Sequence, residues 1–235
     1  ALASGRRPSG IFFLHGDEEY LKDEVASAII AAYLDPATKD FNFDLLRGPD
    51  VEAETLASIA NTPPMMAEHR VILVREAHAL GTNAKLRAAV ESLLERTPPE
   101  LALILVATLP EKSKAQFWER LKREAHSAEF PALSQADLPG WLMERAAQRG
   151  LELDAGGARA LAATGSDIGV LVQELDKLAN FIGERRQITR DDVVEIVGSV
   201  PKQNRWDWID IVADAKFREA RAGLSILLDN GESGV

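Results

Sequence analysis

The sequence predicts an α/β protein in which a mostly parallel sheet is followed by helices. Three observations lead to this prediction. Strand and helix patterns alternate through residues 1–131. The runs at 71–74 and 101–107 are continuous β-branched or leucine sequences, typical of strands buried on both faces. After Pro131 the pattern changes to helices alone, so residues 132–202 form a predicted second, helical domain.

Each element of the first domain has a local signal. Strands are predicted at 11–15, 41–46, 71–74, 101–107 and 128–130. Helices are predicted between them, at 18–34, at 51–60, from a cap at Thr82 to Arg96, and at 112–125. Pro98 and Pro99 end the third of these helices, because proline cannot continue a helix.

The helical region also divides at capping residues. One helix begins at Ser134 or Asp137 and runs to Arg149, and others are predicted at 154–164, after Asp167, and at 191–197 behind a Thr189 cap. Two more helices are predicted at 205–213 and 217–229. Because two helices rarely make a domain, residues 203–235 are expected to be the start of a truncated helical domain.

Composition excludes several classes of protein. The 235 residues carry a formal net charge of −10, which makes the chain a poor DNA binder by itself, since Lys and Arg supply most non-specific affinity for phosphates. Cysteine is absent, which excludes disulfides and thiolate metal sites. No apolar run approaches the roughly 18 residues of a membrane span. We therefore expect a cytoplasmic protein without a membrane partner.

The first strand leads into a position that binds phosphates in P-loop enzymes. There the motif G-x-x-x-x-G-K-[ST] surrounds phosphates with backbone N–H groups. Here the turn reads Gly-Asp-Glu-Glu-Tyr-Leu-Lys over residues 16–22, with three carboxylates that would repel a triphosphate. Arg75 directly follows the third predicted strand, where a metal-binding Asp would be needed. We predict no catalytic residue, no cofactor and no metal site, and the four histidines lack ligand spacing.

An α/β domain followed by a small helical lid resembles the layout of AAA+ ATPases. The segments FLHGDEEYL (13–21), PMMAEHRV (64–71) and ELDKL (174–178), with the charged tail 214–231, resemble the delta subunit family of the bacterial DNA polymerase III clamp loader. This resemblance implies two AAA+-like domains and a collar domain. It also implies a subunit of a DNA polymerase holoenzyme that opens the ring-shaped sliding clamp without hydrolysing ATP. The implied partners are the clamp, the other loader subunits and, only within the assembled complex, primer–template DNA.

The loop at residues 61–70 is the implied clamp-binding element. Pro63 and Pro64 stiffen it, and Met65 and Met66 then present two adjacent apolar side chains before a strand. The family places a hydrophobic plug here, so the resemblance implies clamp contacts by Pro64, Met65 and Met66 with a polar rim of Glu68, His69 and Arg70. Relatives favour a Leu-Phe or Phe-Phe pair. The alternative is that both methionines pack beneath their own loop.

Two further alternatives remain open in the sequence. A basic helix carries Lys112, Lys114, Arg120, Lys122 and Arg123. A solvated face is the favoured interpretation, and contact with DNA inside a loader is the functional one. The whole chain could also be a divergent, active P-loop NTPase that uses Lys22 and Glu76, or an interaction scaffold that binds no clamp.

Overall fold

The structure is a computed structural model that describes residues 9–109, 115–165 and 167–197, with isolated positions at 212–214, 217–218 and 221. The chain forms two compact units that divide between Ala132 and Leu133. Most of the predicted collar segment, 203–235, lies outside the described residues. Within the described part, no helix is long and apolar enough to cross a bilayer.

The first unit is built around a five-stranded parallel sheet, which confirms the predicted fold class. Its strand order is β2-β3-β4-β1-β5. The strands are β1 (Gly10–His15), β2 (Phe43–Arg47), β3 (Arg70–Arg75), β4 (Leu101–Ala107) and β5 (His126–Glu129). The helices are α1 (Glu19–Tyr33), α2 (Lys39–Asn42), α3 (Ala53–Ala60), α4 (Ala84–Glu95) and α5 (Gln116–Glu124). Short 3-10 turns at Pro36–Thr38 and Ala77–Thr82 complete the unit.

Helices cover both faces of this sheet. Apolar side chains of α3, α4 and α5 pack on one face, and those of α1 pack on the other. β4 is buried along its whole length, as its uninterrupted apolar sequence predicts. The connection after β1 leads towards β2, whereas the connection after β4 leads to β5 on the opposite side. The gap between the carboxyl ends of β1 and β4 is therefore the topological switch point, where open α/β sheets bind ligands.

Some predicted boundaries were wrong. Thr82 does not cap α4, because its hydroxyl donates to the Ala79 carbonyl, and Asn83 is the cap, accepting from the N–H groups of Lys85 and Leu86. Phe41 belongs to α2 rather than to a strand, so β2 begins two residues later than predicted. β5 begins earlier, at His126, because pairing with β1 extends the strand past its apolar residues.

The second unit contains α6 (Leu138–Gln148), α7 (Ala155–Ala162), α8 (Ile168–Ile182) and α9 (Arg190–Ile196). Asp154, Asp167 and Thr189 cap the last three with their side chains. The prediction of helices alone missed two strands, β6 (Glu152–Leu153) and β7 (Gln187–Ile188), which pair in parallel. Two residues are too few to produce an alternating pattern, so only the tertiary pairing reveals these strands.

Candidate functional site

The carboxyl ends of β1 and β4 meet around a buried ammonium group. Lys22, on the first turns of α1, is 0% exposed. Its Nζ lies 2.6 Å from the Gly16 carbonyl oxygen and 3.3 Å from that of Ala107. It also lies 2.8 Å from Thr108 Oγ1 and 2.8 Å from Glu19 Oε1. The protein's own cation thus occupies the switch point, with its donors directed at protein oxygens.

The turn between β1 and α1 is too tight to admit a side chain at its glycine. Gly16 has φ = 124°, and a Cβ built there would lie 2.1 Å from the backbone oxygen of Phe130. The Gly16 N–H donates to the Ala107 carbonyl, and the Glu18 N–H donates to Phe130. The N–H groups of Gly16 and Glu18 are therefore bonded to carbonyl oxygens of the protein, whereas a phosphate-binding loop directs such groups at its ligand.

Charged side chains at this edge are also engaged with one another. Burial alone would raise the pKa of the Glu19 carboxyl. Hydrogen bonds from Lys22 and Thr108 to the carboxylate act in the opposite direction, and the pKa of Glu19 lies below its usual value. Arg75 ends β3 and binds both carboxylate oxygens of Asp23, at 2.8 and 3.0 Å. Across the described residues, no group of three or more acidic or histidine side chains is arranged to hold a metal ion.

The alternative NTPase interpretation relies on Lys22 and Glu76, and both have other partners. Glu76 accepts from the guanidinium of Arg47, at 2.7 and 2.9 Å. Its backbone has φ = 52°, in the left-handed region. The structure does not bring Glu76 into the hydrogen bonds that surround the Lys22 ammonium.

The loop before β3 lies at the opposite end of the same sheet and exposes its apolar residues. α3 ends at Asn61, and Pro63 and Pro64 follow. Met65 is 54% exposed and Met66 is 90% exposed. The alternative required both side chains to pack beneath the loop, and the exposure of Met66 shows that it is wrong. A cleft of about 610 Å³ lies beside Met66, lined by the carboxyl end of α1 and by residues 66–68.

Two of the three predicted rim residues support the loop from beneath. His69 is buried and packs edge-on against the Tyr33 ring, with ring centroids 5.0 Å apart. Arg70 binds Asp44 at 2.6 Å and donates to the Phe41 carbonyl oxygen at 3.3 Å. Glu68 is exposed, as a rim residue must be. Asn42, which hydrogen-bonds to Met65, was missed, because a polar residue within a predicted strand gives no sign of a distant partner.

The described cations of the basic helix are paired with carboxylates of their own unit. Arg120 binds Glu95 and Glu124, Lys122 binds Glu119, and Arg123 binds Glu124. Lys112 and Lys114 lie outside the described residues. These pairs reduce the positive charge that α5 offers to a phosphate backbone. The assignment of this helix to a DNA contact stays a prediction.

Comparison with known proteins assigns the family. The model of the family "DNA polymerase III, delta subunit" matches residues 12–130, slightly more than half of the chain. The chain belongs to the DNA polymerase III delta subunit family. It is also 27% identical over 236 aligned residues to the DNA polymerase III subunit delta of Bacillus subtilis, an alignment that covers 96% of this chain and 67% of that protein.

Solved structures agree with this membership in the delta family. The Bacillus subtilis DNA clamp loader delta protein matches with a TM-score of 0.74 and 26% identity, over 96% of this chain and 69% of that one. The Thermotoga maritima RuvB Holliday junction branch migration motor matches with a TM-score of 0.51 and 15% identity, over 94% and 80%. At that identity the second match concerns the fold alone.

Proposed function

We propose that this chain binds and opens a ring-shaped sliding clamp as the delta subunit of a clamp loader, and that it does so without hydrolysing ATP. The observation that carries the proposal is the exposure of Met65 and Met66 on a loop stiffened by two prolines, in a chain of the delta family. In the free protein these apolar surfaces are left in water. A partner with an apolar pocket would remove them from water.

The expected strength of this contact follows from burial. Fully burying a methionine side chain contributes roughly 1.5–3 kcal/mol. Ordering a flexible side chain offsets part of that contribution. A net contribution of about 3–4 kcal/mol from Met65 and Met66 together corresponds to roughly 10²–10³-fold in affinity.

The surroundings of the two methionines define the rest of the proposed contact. Pro64 and Glu68 border them, and the cleft beside Met66 can receive a side chain of the partner. His69 and Arg70 act on the clamp indirectly, by fixing the base of the loop. Other loader subunits and primer–template DNA complete the proposed set of partners.

The proposed lack of ATP hydrolysis is supported by the buried ammonium of Lys22. A nucleotide phosphate at the switch point would have to displace the Lys22 ammonium from Gly16, Ala107 and Thr108. A magnesium ion would face the Arg75 guanidinium, which cannot ligate a cation. Both requirements of phosphoryl transfer, a phosphate cradle and a metal, are thus opposed by this chain's own residues.

The clamp contact is tested by calorimetry with the cognate sliding clamp. Met65→Ala/Met66→Ala should weaken binding roughly 10²–10³-fold at a nearly constant melting temperature, because the exposed side chains add little to the core. Met143→Ala is the matched control, since Met143 is 40% exposed but lies in the other unit. If the double variant melts much earlier and binds the clamp as before, the two methionines support the fold of the chain rather than the clamp contact, and the clamp site lies elsewhere.

Opening and nucleotide binding need separate measurements. A subunit that opens the ring should release clamps from closed circular DNA, whereas a subunit that only binds would leave them on the circle. Titration with Mg²⁺-ATP should give no heat of binding. Micromolar ATP affinity would instead support the divergent NTPase, and failure to bind any clamp would support the general scaffold.

A further inference from the structure

A buried amide side chain joins the loop of Met65 and Met66 to a separate segment. Asn42, the last residue of α2, is 0% exposed. Its Oδ1 accepts from the Met65 N–H at 2.7 Å, and its Nδ2 donates to the Met65 carbonyl at 2.9 Å. Nδ2 also donates to the Thr38 carbonyl at 3.2 Å. One side chain therefore binds both backbone polar groups of Met65 and is itself anchored to its own segment.

This pair of bonds restrains the backbone of the loop at Met65. The Asn42 side chain accepts from the backbone N–H of Met65 and donates to its carbonyl oxygen. Two antiparallel bonds to one residue resemble a rung of a β-ladder, and they restrain the peptide planes on both sides of Met65. The next residue, Met66, therefore begins from a fixed backbone position.

Met66 adopts a conformation that its own side chain disfavours. Its φ is 55°, in the left-handed region where non-glycine residues are uncommon. Such a conformation persists only where surrounding contacts determine it, and residues of this kind cluster at sites that bind ligands. The conformation leaves the Met66 side chain 90% exposed. Removing the restraint on Met65 would let Met66 return to ordinary dihedral angles.

We propose that Asn42 is a positioning residue for clamp binding, which holds Met65 and Met66 in the binding-competent conformation before the clamp arrives. This inference rests on the proposed function. Apparent affinity is reduced by the fraction of molecules that hold the competent conformation. Asn42 raises that fraction without touching the clamp, because its side chain is buried.

The direct test is a double-mutant cycle measured with the cognate sliding clamp. Asn42→Ala should weaken binding about 10-fold when Met65 and Met66 are present, through loss of the competent fraction. In the Met65→Ala/Met66→Ala background the same substitution should change affinity less than about 2-fold, because no apolar anchor is left to position. A merely structural role would give the same factor in both backgrounds.

A clamp-free measurement separates the conformational step from binding. Amide hydrogen exchange at Met65 should accelerate in Asn42→Ala, because its N–H loses the Asn42 oxygen. Asn61→Ala is the matched control: Asn61 begins the same loop, and its side chain donates to the Ala57 carbonyl of the helix that precedes it. It should leave Met65 exchange and clamp affinity within about 2-fold of the parent chain.

A second variant guards against loss of the fold. Asn42→Leu has nearly the same shape, adds no charge to this buried position and leaves no cavity. It removes the acceptor for the Met65 N–H and the donor to the Met65 and Thr38 carbonyls, so it should also accelerate exchange at Met65 and weaken clamp binding. If Asn42→Ala unfolds the chain, the cycle is completed with Asn42→Leu.

The outcomes distinguish this inference from the proposed function. If the double methionine variant loses clamp affinity but neither Asn42 variant does, Asn42 is not a positioning residue while the clamp contact stands. If the double methionine variant binds as the parent chain does, the proposed contact fails and the role of Asn42 fails with it. Equal losses in both backgrounds also overturn the inference, and coupled losses with faster exchange support it.

Discussion

The two ends of the sheet treat polar and apolar groups in opposite ways. At the carboxyl end, Lys22 is fully buried and surrounded by protein oxygens, although strand ends in this position bind ligands in related architectures. At the amino end of β3, two methionines are exposed to water, although apolar side chains are normally buried. At the carboxyl end the charged group finds its hydrogen-bond partners within the chain, whereas at the amino end the apolar side chains are left for another molecule to cover.

This difference indicates that the carboxyl end of the sheet controls the stability of the fold and that the amino end controls binding. A group whose partners lie within the chain contributes to the free energy of unfolding, because unfolding separates it from them. A group exposed in the free protein contributes to binding instead. Substitutions at the carboxyl end should therefore change stability without changing clamp affinity per folded molecule, and substitutions of the two methionines should do the reverse.

The largest expected effect on stability comes from Gly16. Gly16→Ala places a Cβ 2.1 Å from the Phe130 backbone oxygen at φ = 124°, so β1 and β5 must separate. We expect a loss of about 4 kcal/mol in the free energy of unfolding, measured by urea denaturation. Gly150→Ala is the control: Gly150 also has positive φ but open space around it, and should lose only about 1 kcal/mol. Similar losses in both variants would contradict the tight packing of the turn.

A somewhat smaller loss is expected from Lys22. Lys22→Met keeps the apolar stem but removes the ammonium, leaving the Gly16 and Ala107 carbonyls without that donor. We expect about 3 kcal/mol lower stability. Lys85→Met should cost less than about 0.5 kcal/mol, because Lys85 is exposed and lies 3.5 Å from Glu54. A stable Lys22→Met chain that gained ATP binding would show that this end is a suppressed nucleotide site rather than a structural one.

The smallest expected effect is a pH dependence of stability from His15 at the end of β1. Burial lowers the pKa of His15 below 6.5, with Lys122 and Lys22 acting in the same direction and Glu129 opposing. As pH falls through 6.5, the unfolded chain takes up the proton first, so the folded state loses stability until its own lower pKa is reached.

Denaturation at about pH 7.5 and about pH 5.5 tests this dependence, since carboxylates titrate below that range. His15→Gln should reduce the difference in stability between the two pH values. His78→Gln, a change at an exposed histidine, should leave it as in the parent chain. If the two ends of the sheet are independent, protonation of His15 should not change the clamp affinity of the folded protein.

Much of the fold was predictable because its signals are local. Continuous apolar runs identified β3 and β4, and capping residues identified α7, α8 and α9. Boundaries failed where a tertiary contact competed with the local pattern. Asn83, not Thr82, caps α4, because the Thr82 hydroxyl donates to the Ala79 carbonyl and the Asn83 side chain accepts from the Lys85 N–H. β6 and β7 exist only because their two segments meet.

The sequence by itself determined that a phosphate cradle is missing after β1 and that two adjacent methionines follow a proline pair, since both are statements about residue types in order. Only the tertiary structure decided what replaces the cradle and what holds the methionines outward. Lys22 meets Thr108 across 86 residues of sequence, and Asn42 meets Met65 across 23. Local propensity cannot specify such pairs, because the sheet topology decides which distant segments lie side by side.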